Sequence, residues 1–343
     1  MEIKQLHKED NELLIGFAES RIGGRGENQD SFGSCQTSHG FLVTVCDGMG
    51  GGPGGLTAST IAVREIIAGV EEANDDETTS NIIIKAIRRA NMAIIEAEND
   101  TPSLKGMGST ATVLLINEKA AYVAYVGDSR VYQFRGHKKI FRTFDHSMVF
   151  DLVKQGVITE EQARLSAQSN IIMRALGIQP DVEVDITELP YEKGDRFMLC
   201  TDGIHGALPE SELIKLATSR KNVLGALTDD IATLIDNEGR MGGGGHDNLT
   251  LAIVEMKSNS LIRPIMSQTT KLTLLALAVI CAISIILNIR QCSGRQDSTS
   301  DTVQVDTIKW HQKDSVQQAT INRLNDSIGT LNQKLNQIKE TIK

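Results

Sequence analysis

The chain has 343 residues, 40% of them hydrophobic and 23% charged, enough apolar material for one large core with appendages. Its net charge of −9 excludes a basic nucleic-acid footprint, although bound divalent cations could neutralise part of it. The five cysteines (Cys35, Cys46, Cys200, Cys281 and Cys292) are scattered and form no CxxC pair, which excludes a disulfide framework and a cysteine zinc site.

The opening stretch, MEIKQLHKEDNELLIG, lacks the apolar centre of a cleavable signal peptide. Glu12 to Ala18 reads as a strand. The stretch that organises the chain is Phe41 to Gly55, FLVTVCDGMGGGPGG. Phe41, Val43, Thr44 and Val45 are β-branched or aromatic and belong to a run long enough for a buried strand. The run stops at Asp47-Gly48. A carboxylate at the end of a buried strand projects from a rigid element, a good place to hold a hard metal ion. The glycines after it let the backbone turn and bring a carbonyl to the same ion.

Thr57 to Val70 has apolar residues at helical spacing (Ile61, Ile66, Ile67, Val70), and acidic Glu71 to Thr79 reads as an exposed loop. Ser80 is expected to cap a second helix that buries Ile83, Ala86, Ile87, Ala90 and Ile94. Strands follow at Thr110–Ile116, Ala120–Val126, Val131–Phe134 and Lys139–Thr143, the first two joined by a two-residue connection, Asn117-Glu118. Met148 to Ala167 predicts two short helices broken at Gly156. Val182–Leu189 and Arg196–Cys200 predict strands. Pro209 and Glu210 open a helix through Ala217, Asn222 caps another through Ile235, and Leu249–Glu255 is a last strand. Strand runs separated from helical pairs, without βαβ alternation, predict an α+β fold with an antiparallel core.

Residues 1–256 therefore read as one folded domain, followed by a juxtamembrane linker over 257–271. Leu272 to Ile289 carries no charge and spans roughly 27 Å as a helix, the thickness of a bilayer core. It is expected to be a single transmembrane helix. Lys257, Arg263 and Lys271 before it against Arg290 and Arg295 after it favour, by three to two, a cytoplasmic domain and an extracytoplasmic tail. Residues 290–302 form a polar, flexible linker. In 303–343, Ile321, Leu324, Ile328, Leu331, Leu335, Ile338 and Ile342 recur at alternating steps of three and four, a heptad seam. The seam predicts either a short coiled coil pairing two copies, which Cys292 could then cross-link, or one amphipathic helix packed on a partner or membrane surface.

Three other segments repeat the theme of Asp47: YVGDSR at Tyr125–Arg130, FMLCTDG at Phe197–Gly203, and GGGGHDNLT at Gly242–Thr250. Each sets an Asp (Asp128, Asp202, Asp247) beside a strand-like run and a glycine, and Asp30 lies in SRIGGRGENQDSFG. Singly, Asp-Gly is a turn signal. Jointly, carboxylates without neighbouring Cys or His ligands suit Mg²⁺ or Mn²⁺ rather than zinc. Two such ions can hold a bridging water, lower its pKa and aim it at phosphorus. Arg25, five residues before Asp30, supplies a planar fork for phosphoryl oxygens. Cys46 and Cys200 sit inside apolar strands as core thiols.

Arg25-Gly-Glu-Asn28-Gln29-Asp30, Asp47-Gly48-Met49-Gly50, Gly108-Ser109-Thr110-Ala111, Gly127-Asp128-Ser129-Arg130, Thr201-Asp202-Gly203 and His246-Asp247-Asn248-Leu249-Thr250 resemble, in order, the motifs of the PPM family, the metal-dependent type 2C serine/threonine protein phosphatases. The resemblance covers roughly 12–256. It implies an αββα four-layer sandwich, two antiparallel sheets flanked by helix pairs, and hydrolysis of phosphoserine and phosphothreonine proteins that a kinase has modified. It further implies that Asp47 bridges two core metals, that the Gly48 carbonyl ligates one, and that Asp202 and Asp247 complete the set. Asp30 would act through a metal-bound water, and Asp128, with Asp202, would hold a third, weaker ion. Arg25 would bind the substrate phosphate and Asn248 would orient Asp247. Asp145 to Gly177 takes the place of the variable flap that influences substrate choice. The family and the single-span layout fit a bacterium. Met49 stands where many eukaryotic members carry a histidine, a candidate general acid; His146 and His205 lie in the right region but are not assigned to that role.

Two rivals differ in class. Gly50 to Gly55 satisfies GxGxxG after a strand, the mark of dinucleotide binding, but Glu71-Glu72 does not end a second strand as that motif needs. A membrane-anchored, non-catalytic sensor or scaffold using the same fold is the alternative function.

Overall fold

The computed structural model describes residues 5–50 and 54–261. In chain order these form β1 (Gln5–Asp10), β2 (Leu14–Arg21), β3 (Asp30–Thr37), β4 (Gly40–Met49), α1 (Gly54–Glu71), α2 (Thr79–Asp100), β5 (Gly108–Ser109), β6 (Ala111–Ile116), β7 (Ala121–Val126), β8 (Arg130–Arg135) and β9 (Lys138–Arg142). There follow α3 (Met148–Lys154), α4 (Glu160–Arg164), β10 (Asp185–Leu189), β11 (Arg196–Cys200), α5 (Asp202–His205), α6 (Glu210–Ala217), α7 (Leu224–Met241) and β12 (Leu249–Met256). One sheet runs β1-β2-β12-β11-β8-β9 and the other β10-β7-β6-β4-β3, with β5 added to β4. Every pairing is antiparallel.

Three apolar layers explain why the central strands are buried along their whole length. Phe41, Val43 and Val45 of β4 meet Leu114, Phe197, Leu199, Ala252 and Val254 between the sheets. The alternating residues Leu42 and Cys46 face the other way, onto Ile66, Ile83 and Ile87 of α1 and α2. On the far side Met198, Cys200, Leu251 and Ile253 pack against Ile231 and Ile235 of α7. A strand covered on both faces has no polar side to show, so period-two alternation gives way to a continuous apolar run. Each such buried Leu, Ile, Val or Phe side chain contributes about 1.5–3 kcal/mol. This is the αββα sandwich expected from the sequence.

Several local expectations are corrected. The β6–β7 connection is a four-residue turn, Asn117–Ala120, because Asn117 Oδ1 accepts from the Lys119 and Ala120 amides at 3.0 and 3.2 Å. The cap of α2 is Thr78, not Ser80, its hydroxyl accepting from the Asn81 amide. Asn222 does not cap α7; Val223 takes that position while Asn222 donates to Asp230 at 2.6 Å. The strand expected from Glu12 is β2 and begins at Leu14, since Asn11 Oδ1 accepts from the Leu13 and Leu14 amides in a turn before it. The strand expected from Val182 starts at Asp185. Strands β1 and β3 have no counterpart in the sequence reading. The antiparallel neighbours of β4 also rule out a dinucleotide fold, since α1 leads into α2 and not back to a parallel strand.

The folded body continues past β12. The Lys257 amide donates to the Leu13 carbonyl, Ser260 to Tyr191 and Leu261 to Glu118. No helix among the described residues is long and apolar enough to cross a membrane. The expected transmembrane helix at 272–289, the linker at 290–302 and the coil at 303–343 lie outside the described residues.

Candidate metal centre

All the singled-out carboxylates come to one end of the sandwich. Register does this for the first pair: Asp30 opens β3 and stands directly opposite Asp47 near the end of β4. Like charges across a ladder are destabilising unless something positive lies between them. The ends of β8 and β11 meet at Arg130 and Cys200, so Asp128, before β8, and Asp202, after β11, emerge side by side. Leu249 pairs with Arg21, which places Asp247 against the loop 22–29 that carries Arg25.

The loops at this end are sewn together by polar side chains. Thr201 Oγ1 donates to Asp30 Oδ2 at 2.9 Å and accepts from the Thr250 amide at 3.2 Å, joining the two sheets. Asn248 donates to the Ile22 and Glu27 carbonyls at 2.8 and 2.9 Å and accepts from the Gln29 amide at 2.9 Å, while its own amide donates to Asp247 Oδ1 at 2.8 Å. Arg25 Nη2 donates to Asp247 Oδ2 at 2.9 Å. A Cβ on Gly48 would lie 2.0 Å from the Gly55 carbonyl oxygen and 2.6 Å from that of Gln29, so only glycine lets α1 start this close to β4.

Electrostatics shows the carboxylates sharing one region. Withdrawal from water, with Asp202 and Asp247 adding repulsion against the Thr250 and Thr201 hydrogen bonds, pushes Asp30 up to about 7. Burial, then Asp247, raises Asp202 to about 6. Asp47 is held well above the usual carboxylate range by burial and then by Asp30, Asp202, Asp128 and Asp247. Asp128 is raised likewise by burial, Asp202 and Asp145. Asp128 Oδ1 and Asp202 Oδ1 are buried without a hydrogen-bond partner among the described residues. Orphaned buried oxygens and carboxylates that raise one another's pKa are what an oxygen-seeking divalent cation would satisfy. Among the described residues no three His, Cys, Asp or Glu side chains already close around one point as a finished cage. Crowding them further without a positive charge would raise the repulsion already evident, so the donor set fits a cation but does not mimic its presence.

The two histidines near the site have structural partners. His205 Nε2–H donates to the Asp128 carbonyl at 3.0 Å, and burial holds its pKa well below the ordinary value. His146 Nδ1 accepts from the Gly127 amide at 3.1 Å and its ring stacks on Tyr125; burial and then Arg174 lower its pKa. Both support the Gly127-Asp128 turn.

A cleft of about 650 Å³ opens from Asp128, Asp202 and Asp247 toward α3 and α4. Its far wall is fastened to the body by arginines. Arg130 pairs with Asp145 through two bonds, at 2.7 and 2.6 Å, and Arg142 reaches Glu160 and Glu210, each at 2.6 Å. The Phe150 ring of α3 lies within 5.4 Å of both guanidinium groups. The sequence reading named Thr201 within its motif and Asp145 at the start of the flap without their partners, and it missed Asp236, which meets His246. GDSR hinted at Arg130 by motif, but none of these three carried a local signal of its partner.

Residues 19–235 match the family model for protein phosphatase 2C. A relative named serine/threonine phosphatase stp, from Listeria monocytogenes serotype 4b, is 33% identical over 235 residues, covering 67% of this chain and 91% of the relative. Among solved structures, the S. agalactiae serine/threonine phosphatase superposes with a TM-score of 0.62 at 29% identity, covering 74% of this chain and 99% of that one. The catalytic domain of serine threonine protein phosphatase PstP in complex with two manganese ions superposes at 0.59 with 28% identity, covering 71% and 98%.

Proposed function

The chain belongs to the protein phosphatase 2C family and is a serine/threonine phosphatase, and from that premise we propose the roles of its residues. The observation that carries the assignment is the register of Asp30 opposite Asp47, with Asp128, Asp202 and Asp247 brought to the same end. Dependence on Mg²⁺ or Mn²⁺ is general in the family. In this chain Asp47, the Gly48 carbonyl, Asp202 and Asp247 would hold two ions, Asp30 would stand beside them, and Asp128, with Asp202, would serve a third. Ions of this kind act, when bound, as Lewis acids that make hydroxide available at neutral pH and neutralise charge on a phosphoryl group.

The chain's own contribution is positioning. The Arg25 guanidinium, half exposed at the mouth, presents the planar fork that would orient phosphoryl oxygens, and its pairing with Asp247 supports this role. Asp30 and Asp47 are fixed by the ladder, so the donors need little rearrangement. Cys46 and Cys200, the cysteines on the strands that end at the centre, are not placed to act as nucleophiles: burial raises Cys46 to about 12 and Cys200 above that, and both point into apolar layers. Hydrolysis would be direct, with no phosphoenzyme. The substrates would be phosphoserine and phosphothreonine proteins, the polypeptide lying in the cleft beside α3 and α4, and an opposing kinase would supply them.

We further propose the domain plan of the sequence reading. The catalytic body is followed by a linker, a single membrane span at 272–289 with the body cytoplasmic, and a tail that pairs two copies outside. The uncharged run of 272–289 and the heptad seam support it. The catalytic reading is tested by hydrolysis of a phosphothreonine peptide by the full chain with Mn²⁺ and with EDTA, beside Asp47→Asn and Asp202→Asn. Metal-dependent phosphate release, lost in both variants, is expected. Release unaffected by either substitution would sink the assignment. Protease added outside intact cells is expected to remove the tail and spare the body; loss of the body, or survival of the tail, would overturn the membrane arrangement.

A further inference from the structure

Gly242 to Gly245 separate the end of α7 from Asp247, and Gly243, Gly244 and Gly245 take positive φ. Glycine leaves the backbone freer than any other residue, so this run gives Asp247 little stiffness of its own. The one side chain between Met241 and Asp247 is His246. Its Nε2–H donates to Asp236 Oδ1 at 2.8 Å, and Asp236 is buried near the end of α7 with Arg240 Nη2 donating to it at 3.1 Å. The ring occupies space that Gly239 leaves open, for a Cβ there would lie 2.3 Å from it. On its other side the Gly24 amide donates to the His246 carbonyl at 3.0 Å. A Cβ on Gly23 would fall 2.0 Å from the Asp247 carbonyl oxygen. Helix, glycine loop and the loop of Arg25 thus converge on one imidazole.

We propose that His246 and Asp236 are positioning residues that clamp the glycine loop onto α7 and so fix Asp247 for metal binding. The inference rests on the reading of Asp247 as a ligand. A single donor bond does the work. His246 Nδ1 is buried without a partner among the described residues, so a side chain with one N–H at the right reach can replace the ring. Loss of the bond leaves Asp247 tethered through Arg25 and the Asn248 amide, so the damage falls on metal affinity more than on folding. Residues that orient metal ligands typically cost about 10- to 100-fold in affinity when removed.

The test separates the bond from the packing. His246→Phe keeps a ring in the space but has no donor; His246→Gln keeps a donor but no ring. Binding of Mn²⁺ alone to the full chain is followed by the electron paramagnetic signal of free Mn²⁺, and deuterium uptake over 242–248 is measured in EDTA. His246→Phe is expected to bind Mn²⁺ at the Asp247 site about 10- to 100-fold less tightly and to exchange faster, while His246→Gln stays near the parent. Parent-like binding by His246→Phe, or equal weakening in both variants, overturns the clamp. Asp247→Asn is the control: if it leaves Mn²⁺ binding intact, the reading of Asp247 fails and the clamp with it.

Discussion

The carboxylate cluster predicts an unusual pH dependence for the metal-free protein. Asp30 rises from 3.8 to about 7, chiefly through burial. A raised carboxylate binds its proton more tightly in the folded state than in the unfolded chain. Its contribution is therefore intact below about pH 4, is lost as pH rises, and is gone above about pH 7. At about 1.4 kcal/mol per pH unit the whole span is roughly 4 kcal/mol, of which about 3 kcal/mol falls between pH 5 and pH 8. His146 and His205 act with the opposite sign over the lower part of that window, because burial lowers their pKa and acid must charge them. Comparison with Asp30→Asn cancels their contribution. In EDTA the variant should gain on the parent as pH rises, by about 6–12 °C in Tm between pH 5 and pH 8 for a body of this size. Saturating Mn²⁺ at pH 8 should reverse the order, since a ligand that binds only the folded state stabilises the chain that binds it better. Melting curves of the two proteins at both pH values, with EDTA and with Mn²⁺, decide it. A Tm difference that stays flat or shrinks with pH would refute the reasoning.

Three further outcomes follow from single contacts. Arg25→Lys keeps a charge but loses the fork, and should lower kcat/KM for a phosphothreonine peptide about 10- to 100-fold at saturating Mn²⁺; unchanged kcat/KM would remove Arg25 from the phosphate site. Asn248→Ala strips the Ile22 and Glu27 carbonyls and the Gln29 amide of their partner and should cost about 2–4 kcal/mol in denaturant unfolding, with faster deuterium exchange over 22–29. A loss below about 0.5 kcal/mol would show that those groups find other partners. Gly48→Ala drives a methyl into the Gly55 carbonyl, and soluble expression should collapse or stability fall by more than about 3 kcal/mol.

What was legible in the sequence divides by how much of each element is covered. β4, β6, β7, β11 and β12 are buried on both faces, and their apolar runs announce them. β1 and β3 are the outer strands of their sheets, and β3, DSFGSCQT, is only half-buried through most of its length. Phe32 and Cys35 pack against the layers beside β3 but are only partly covered, and a half-covered strand leaves little composition to read. The most informative distance relation in the site, Asp30 opposite Asp47, was therefore hidden although both residues were singled out. The caps failed for a related reason. Thr78, Thr79 and Ser80 are adjacent hydroxyl residues, and which one caps α2 depends on where the chain leaves the preceding loop. Partners far apart in sequence, such as Thr201 with Asp30 or Arg130 with Asp145, have no local signature.

The centre is built from two kinds of support, and they divide its labour. Asp30 and Asp47 sit in a hydrogen-bonded ladder whose register cannot slip without turning Phe41, Val43 and Val45 out of the core. Their separation is set by the fold itself, and the cost of holding them together is carried by the whole sandwich. Asp247 sits at the end of a glycine run, and its position depends on hydrogen bonds from Arg25, the Asn248 amide and, through His246, α7. Substitution on the ladder side therefore threatens folding and chemistry together. Substitution on the loop side can loosen a ligand while the core remains intact. Metal affinity is thus most readily tuned around Asp247, where a change of one hydrogen bond alters the donor geometry without disturbing the layers that keep the other carboxylates in place.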